Sequence, residues 1–322
     1  MDISTAMDAE LKTTYSQLPA LAVPQDAHDF VTLRMVADEM LERWYEKPAS
    51  EHVLIEERAG PHVDGTREIP VRIYAPTSVS RTGLLPALLW IHGGGFTVGS
   101  PKGDDLLLTR IVEELGCIVV SPQYRLAPEH PFPAALDDCY ATLLWLAQQA
   151  EELGIDRERL AIAGLSAGGG LCAGLGLMAR DRGEVKLCFQ MPLYACLDDR
   201  HLTASSHEFT DPRSWSREMS LKSWEAYLGS TASDDVSPYA APSRARRLAG
   251  LPPTYMMIGM LDLLRDENID YANRLMQAGV PTELHIYPGA FHAFEIAAPL
   301  ASISQRATSE YIAALKRAFT LK

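Results

Sequence analysis

The sequence predicts an α/β fold: a mostly parallel central sheet flanked by helices, with a helical cap. Three observations carry this. From about Leu85 onward, short apolar runs alternate with longer helix-like stretches, the pattern of strands joined by crossover helices. The strongest run, LLPALLWIH, reads as a strand buried on both faces. Two intervals, 1–47 and 198–237, fall outside the alternation and supply the cap, which leaves 48–197 and 238–322 as the core.

Residues 1–47 are strand-poor, and Phe30, Leu33, Val36, Ala37, Met40, Leu41 and Trp44 recur at helical spacing until Pro48 ends the segment. HVLIEE and REIPVRIYAP then read as a hairpin with a turn around Asp64 and Gly65. After LLPALLWIH come an amphipathic helix over Asp105–Leu115, the strand CIVVSP, and a helix over Ala134–Leu153 stopped by Gly154. The strand ending at Gly164 and its helix follow, then the strands KLCFQMPL and TYMMIG. A helix over Arg265–Ala278 stops at Gly279, TELHIYP is a strand, and a last helix runs from about Ser304 to Phe319. Between Asp198 and Ser237 the chain is polar, with one helix near Glu218–Leu228. A structureless excursion of that length is uncommon in a compact domain, hence its assignment to the cap.

A net charge of −13 argues against non-specific binding to nucleic acid or to anionic membranes. The N-terminus lacks a basic stretch followed by an apolar one, so no signal peptide is expected and the cytoplasm is the expected compartment. Five cysteines without a C-x-x-C pair read as free, largely buried thiols rather than as a nucleophile. No H-E-x-x-H or comparable cluster suggests a metal.

The chemistry gathers around LAIAGLSAGGG at 160–170, where an apolar strand stops at Gly164, Ser166 stands at a corner, and three glycines open a helix. This G-x-S-x-G arrangement suits a nucleophilic serine, which must project from a tight turn to meet a base. The uncharged run from Leu160 to Ala179 could also be read as a membrane span, but six glycines and a strand-like entrance favour a buried strand, turn and helix. Behind the strongest strand stands His92-Gly93-Gly94-Gly95-Phe96. Consecutive glycines let backbone N–H groups face a developing oxyanion, so Gly94, Gly95 and Ala167 are the expected donors. His92 is expected to shape this loop rather than to move protons.

The base should follow Ser166 and sit beyond a late strand. His285 falls inside TELHIYP, whereas His292 comes just after it and is the expected base. The orienting acid should end the preceding strand. That is Asp262; Asp266 and Glu267 lie a turn later, where carboxylates also suit a helix N-terminus. Phe96, Trp215 and Phe294, with Trp224 and Tyr227, are candidates to line an apolar substrate pocket.

HGGG, YRLAPEHPFPAAL, G-x-SAGG, D-x-L-R-D-E and the late H-x-F resemble, in that order, the hormone-sensitive-lipase-like carboxylesterases of the α/β-hydrolase superfamily. The resemblance spans about residues 50–322, and LLWIHGGGF, AAPSRA and LPPTY are similar to bacterial esterases of the heroin-esterase type. It implies an α/β-hydrolase fold, hydrolysis of small-molecule carboxylic esters of short to medium acyl length by a Ser-His-Asp triad, no cofactor, no stable membrane association, and often a homodimer. Leu165 stands where the family usually has Asp, and Leu263 where Pro is common. An amidase or peptidase would use the same triad. A binding protein on this fold is the other alternative, though receptors that resemble the family lack the triad histidine.

Overall fold

The computed structural model describes residues 3–44, 50–61, 67–77, 83–229 and 235–320. Among these, eight strands form one sheet in the order β1-β2-β4-β3-β5-β6-β7-β8. The strands are β1 (Val53–Pro61), β2 (Glu68–Pro76), β3 (Leu85–Ile91), β4 (Ile118–Pro122), β5 (Ile155–Leu165), β6 (Phe189–Leu193), β7 (Thr254–Gly259) and β8 (Thr282–Tyr287). β1 and β2 pair antiparallel, β2 meets β4 antiparallel, and every later pairing is parallel. The hairpin is thus present, while its expected turn at Asp64 and Gly65 and the boundary at Pro48 lie outside the described residues.

β3 and β5 lie next to each other near the middle of the sheet, and Ala87 to Ile91 of β3 are wholly buried. Each large aliphatic side chain buried this way contributes roughly 1.5–3 kcal/mol relative to leaving it in water. The uncharged run from Leu160 to Ala179 is divided between the end of β5 and the helix α7 (Ala167–Arg182), labelled with its companions below. Among the described residues no helix is long and apolar enough to cross a membrane.

The helices are α1 (Ile3–Ala6), α2 (Ala9–Gln17), α3 (Ala27–Trp44), α4 (Asp105–Leu115), α5 (Ala134–Gln148), α6 (Ala150–Leu153), α7, α8 (Ala204–Glu208), α9 (Arg217–Leu228), α10 (Arg265–Gln277), α11 (Phe294–Ala297) and α12 (Ser302–Thr320). Left-handed Gly116, Gly154 and Gly183 close α4, α6 and α7. The helix expected over Ala134–Leu153 is interrupted at Gln149, whose ψ of 9° lies outside the helical range although its N–H still bonds to the Trp145 carbonyl. Periodicity does not reveal this, because one distorted residue leaves the apolar face in phase. On α3 the expected apolar stripe is only partly inward: Phe30 is buried, but Val36 is 43% exposed.

Two ties fasten the N-terminal helices to the sheet's upper edge. Arg34 of α3 donates to the carbonyls of Thr97 and Ala127 and forks onto the Glu129 carboxylate at 2.7 and 2.9 Å. At the start of α2, the Asp8 N–H bonds to the Gly289 carbonyl, and Tyr15 meets Phe291 edge-on at 4.9 Å. Both contacts reach loops at the C-terminal ends of strands.

Between β4 and α5, the stretch Tyr124–Leu136 is held by Asp138, whose side chain is fully buried. Its carboxylate accepts from the Arg125 backbone N–H at 2.9 Å, from the Arg125 guanidinium at 2.8 Å and from Arg67 at 3.1 Å. Tyr124, anchored beside Arg125, donates its hydroxyl to the His92 carbonyl at 2.9 Å. Replacing Asp138 by alanine strips a buried N–H and two cations of their acceptor, but both arginines keep partial access to water. Asp138→Ala is therefore expected to cost about 3 kcal/mol of stability, measured by urea unfolding. A loss below about 0.5 kcal/mol, the scale of an ordinary surface substitution, would contradict this assignment.

Candidate active site

Ser166 stands between β5 and α7 at φ 54° and ψ −115°, a conformation that costs a non-glycine residue about 1–3 kcal/mol. The surroundings leave it no alternative. Its N–H donates to the Leu193 carbonyl at 2.9 Å, and its own carbonyl accepts from Gly170 and Cys196, each at 3.0 Å. The glycines of the motif are required by close approach. A Cβ on Gly164 would lie 2.3 Å from the Gly168 carbonyl oxygen, and one on Gly168 would lie 2.2 Å from that of Ile91. The first turn of α7 thus packs backbone against backbone onto the end of β3.

The three residues expected to act together meet here. Ser166 Oγ lies 2.9 Å from His292 Nε2, and His292 Nδ1 lies 2.8 Å from Asp262 Oδ2. A carboxylate only accepts, so Nδ1 carries the proton and Nε2 is free to accept from the serine hydroxyl. The other Asp262 oxygen accepts from the Leu264 N–H at 2.9 Å, and the side chain is fully buried. Such an acceptor is what a serine hydroxyl requires to act as a nucleophile.

The alternatives to Asp262 and His292 are engaged elsewhere. Asp266 accepts from the Ser205 N–H, and Glu267 accepts from Leu197 and Asp198. His285 lies between Glu283 and Glu310. Cys196 Sγ is 3.8 Å from Ser166 Oγ, but burial and the nearby Glu267 hold its thiol well above the usual range, so it stays protonated. All five cysteines are free.

The glycine loop after β3 turns through left-handed backbone at Gly94 and Gly95, with φ of 115° and 60°. Among the described residues no backbone carbonyl takes the N–H of either glycine. The N–H of Ala167, in the first turn of α7, has no intrahelical acceptor, and the helix dipole there favours negative charge. His92 supports the loop from beneath. Its Nδ1–H donates to the Gly93 carbonyl at 2.8 Å, its ring stacks on Tyr124 at 4.1 Å, and burial pushes its pKa down to about 4. A neutral, buried imidazole in that position is a prop, as its place in the sequence suggested.

A cavity of about 350 Å³ opens on Ser166, His292, Gly94 and Gly95. Leu165, Tyr194, Trp215 and Ile296 line it, with Ala37 and Leu41 contributed by α3. Of the aromatics expected to line a pocket, only Trp215 does. Phe96 has φ 65°, which turns its ring inward to stack on Tyr227 at 4.0 Å, and Phe294 packs against Tyr287 at 5.5 Å. Trp224 and Tyr227 are buried beside Phe96. Leu165, whose neighbour is the serine, is a buried core residue that also forms an apolar part of the cavity wall.

Residue patterns did not single out Asp104 or Tyr194. Asp104, in the cavity wall, accepts from Trp90 Nε1 at 2.7 Å, and burial together with Asp105 raises its pKa to about 7. Tyr194 follows β6 in an otherwise unremarkable PLYAC, and no local signal could have found it.

A family model described as the alpha/beta hydrolase fold matches residues 88–296. Carboxylesterase NlhH of Mycobacterium tuberculosis is 36% identical over 266 residues, 82% of each chain. Among solved structures, a bacterial heroin esterase superposes with a TM-score of 0.92 at 42% identity, covering 98% of this chain and 99% of its own. Esterase LipW from Mycobacterium marinum does so with a TM-score of 0.89 at 36% identity, covering 99% and 98%.

The loop geometry yields a direct test. A Cβ on Gly95 would lie 2.4 Å from the Trp215 ring, in a left-handed conformation that alanine resists. Gly95→Ala is therefore expected to displace the loop N–H groups and to slow labelling of Ser166 by a fluorophosphonate probe about 100-fold. Labelling at the unmodified rate, with near-UV circular dichroism unchanged, would show that this loop does not serve the serine.

Proposed function

The chain belongs to the α/β-hydrolase fold family, in its hormone-sensitive-lipase-like branch, and from that premise we propose that it is a carboxylesterase acting on short- to medium-acyl esters through an acyl-enzyme. The ester-hydrolase class is supported by the esterases among its relatives. The mechanism is supported above all by one observation: the unbroken hydrogen-bonded series from Asp262 through His292 to Ser166, opening on a cavity.

In this reading Ser166 Oγ attacks the ester carbonyl carbon while His292 Nε2 takes the hydroxyl proton. Asp262 holds the ring in the tautomer that can accept it, and stabilises the imidazolium that forms. The carbonyl oxygen, now an anion, takes hydrogen bonds from the N–H groups of Gly94, Gly95 and Ala167, each such donor being worth about 2.7–4 kcal/mol of barrier. Collapse expels the alcohol, which leaves with the proton from His292. Water then repeats the sequence on the acyl-serine and frees the acid. Each step uses groups of the chain itself.

Residues 1–47 and 198–237 serve as the cap over a core of 48–197 and 238–322. Ala37, Leu41 and Trp215 from those intervals line the cavity, which supports the division. A volume of about 350 Å³, shared between acyl and alcohol halves and walled by Leu165, Trp215 and Ile296, suits a compact acyl group.

A series of p-nitrophenyl esters provides the test. kcat/KM is expected to peak at or below about C6 and to fall beyond about C10, the acyl length at which the cavity is outgrown. Ser166→Ala is expected to lose about 10⁴-fold or more in kcat. Turnover retained in Ser166→Ala would sink the mechanism, and a preference for chains longer than about C10 would sink the compact acyl pocket.

A further inference from the structure

Tyr194, the first residue after β6, has φ 33°, a value that L residues rarely adopt. Three contacts hold it there. Its N–H donates to the Met257 carbonyl at 2.8 Å, its hydroxyl donates to Glu295 Oε1 at 2.5 Å, and its ring meets His292 edge-on at 5.1 Å with an interplanar angle of 77°. Met257 belongs to β7, the strand that leads to Asp262. Glu295 lies on α11, three residues beyond His292. Tyr194 also lines the cavity. One residue therefore ties by its backbone to the strand that leads to the acid, and by its side chain to the segment bearing the base, at the wall of the space where substrate would bind.

We propose that Tyr194 and Glu295 form a pair that positions His292, holding its ring between Ser166 and Asp262. The inference rests on the triad reading given above. Glu295 is 3% exposed, and its Oε2 has no hydrogen-bond partner among the described residues. A carboxyl placed there as simple filling would be poorly chosen: burying it costs free energy that an aliphatic side chain would not. The tether gives it a reason.

The titratable groups around Glu295 come from several elements. Tyr194 follows β6, Asp262 follows β7, His292 precedes α11, and Tyr311 lies on α12. Asp104 acts on Tyr194 and Tyr311, and α2 brings Tyr15 against Phe291. Burial is the main reason the Glu295 carboxyl is raised to about 7; Asp262 adds to the rise, while Tyr194 and His292 oppose it. A negative charge appearing there near neutrality favours the imidazolium of His292, the form that cannot accept the serine proton. Ionisation of Glu295 thus extends the acidic limb of the activity profile toward higher pH.

Kinetics on p-nitrophenyl acetate, normalised to sites titrated with a fluorophosphonate, test the pair in the full chain. Tyr194→Phe and Glu295→Met are each expected to lower kcat about tenfold with KM changed less than about threefold, and the double variant should be no worse than the poorer single one. Glu295→Gln keeps an acceptor for Tyr194 but cannot ionise. Its acidic limb is expected about half a pH unit lower. Unchanged kcat in both single variants, fully additive losses in the double variant, or a Glu295→Gln profile that superimposes on the unmodified one would each overturn the inference. Should Ser166→Ala retain turnover, the triad reading itself fails. Should Ser166→Ala be inactive while the Tyr194 and Glu295 variants behave as the unmodified protein, only the positioning role fails.

Discussion

The architecture of the site depends on how closely α7 can approach the end of β3. With Gly164 and Gly168 in place, carbonyl oxygens of Gly168 and Ile91 occupy space where a Cβ would otherwise stand. That approach sets the N-terminus of α7 against the end of β3, from which the glycine loop continues. A side chain at either glycine would separate the serine from the loop by an ångström or more, and geometry-dependent catalysis tolerates little of that. The strained backbone at Ser166 follows from the same packing and is held by Leu193, Gly170 and Cys196.

Around this junction the remaining parts are fastened in series. Tyr124 braces the carbonyl of His92, and His92 braces the glycine loop through Gly93. Asp138 in turn anchors the backbone on which Tyr124 sits. On the opposite side, Leu193 at the end of β6 meets the serine, and Tyr194 just after it meets the histidine. Buried polar groups are costly unless partnered, so such linked bonds make the arrangement hard to populate in part. The N-terminal helices join at Thr97, Ala127 and Gly289, all in loops at this edge of the sheet.

Much of this was legible in the sequence, for a physical reason. In a parallel sheet the site collects at the C-terminal ends of strands, and strand ends are visible wherever an apolar run stops. Ser166, Asp262 and His292 each follow such a stop, and the glycines around them mark tight backbone. What was not legible depended on which way a side chain turns. Phe96 and Phe294 are large and apolar in either reading, but the left-handed backbone at Phe96 sends its ring into the core. The Tyr194–Glu295 bond joins residues 101 positions apart, and neither is marked by a local pattern. Leu165 stood out because related esterases usually carry Asp beside the serine; in the fold it is a buried side chain that also walls the cavity.

The acids near the cavity set the reaction and the fold against each other in pH. Asp104 and Glu295 are both raised to about 7, chiefly because burial disfavours their charged forms. Each is protonated in the folded chain over a range in which the unfolded chain would already have ionised it. The unfolded state then binds fewer protons than the native one, so ∂ΔG/∂pH from these two groups is negative. Their contribution is fully present below the ordinary carboxylate range and is lost as pH rises through about 7. The proposed chemistry runs the other way, since an imidazole can take the serine proton only after losing its own. On the proposed mechanism, activity is therefore expected to be greatest where these acids no longer help the fold. The wholly buried aliphatic side chains of β3 contribute to stability at any pH, and the fold keeps that share when these acids ionise.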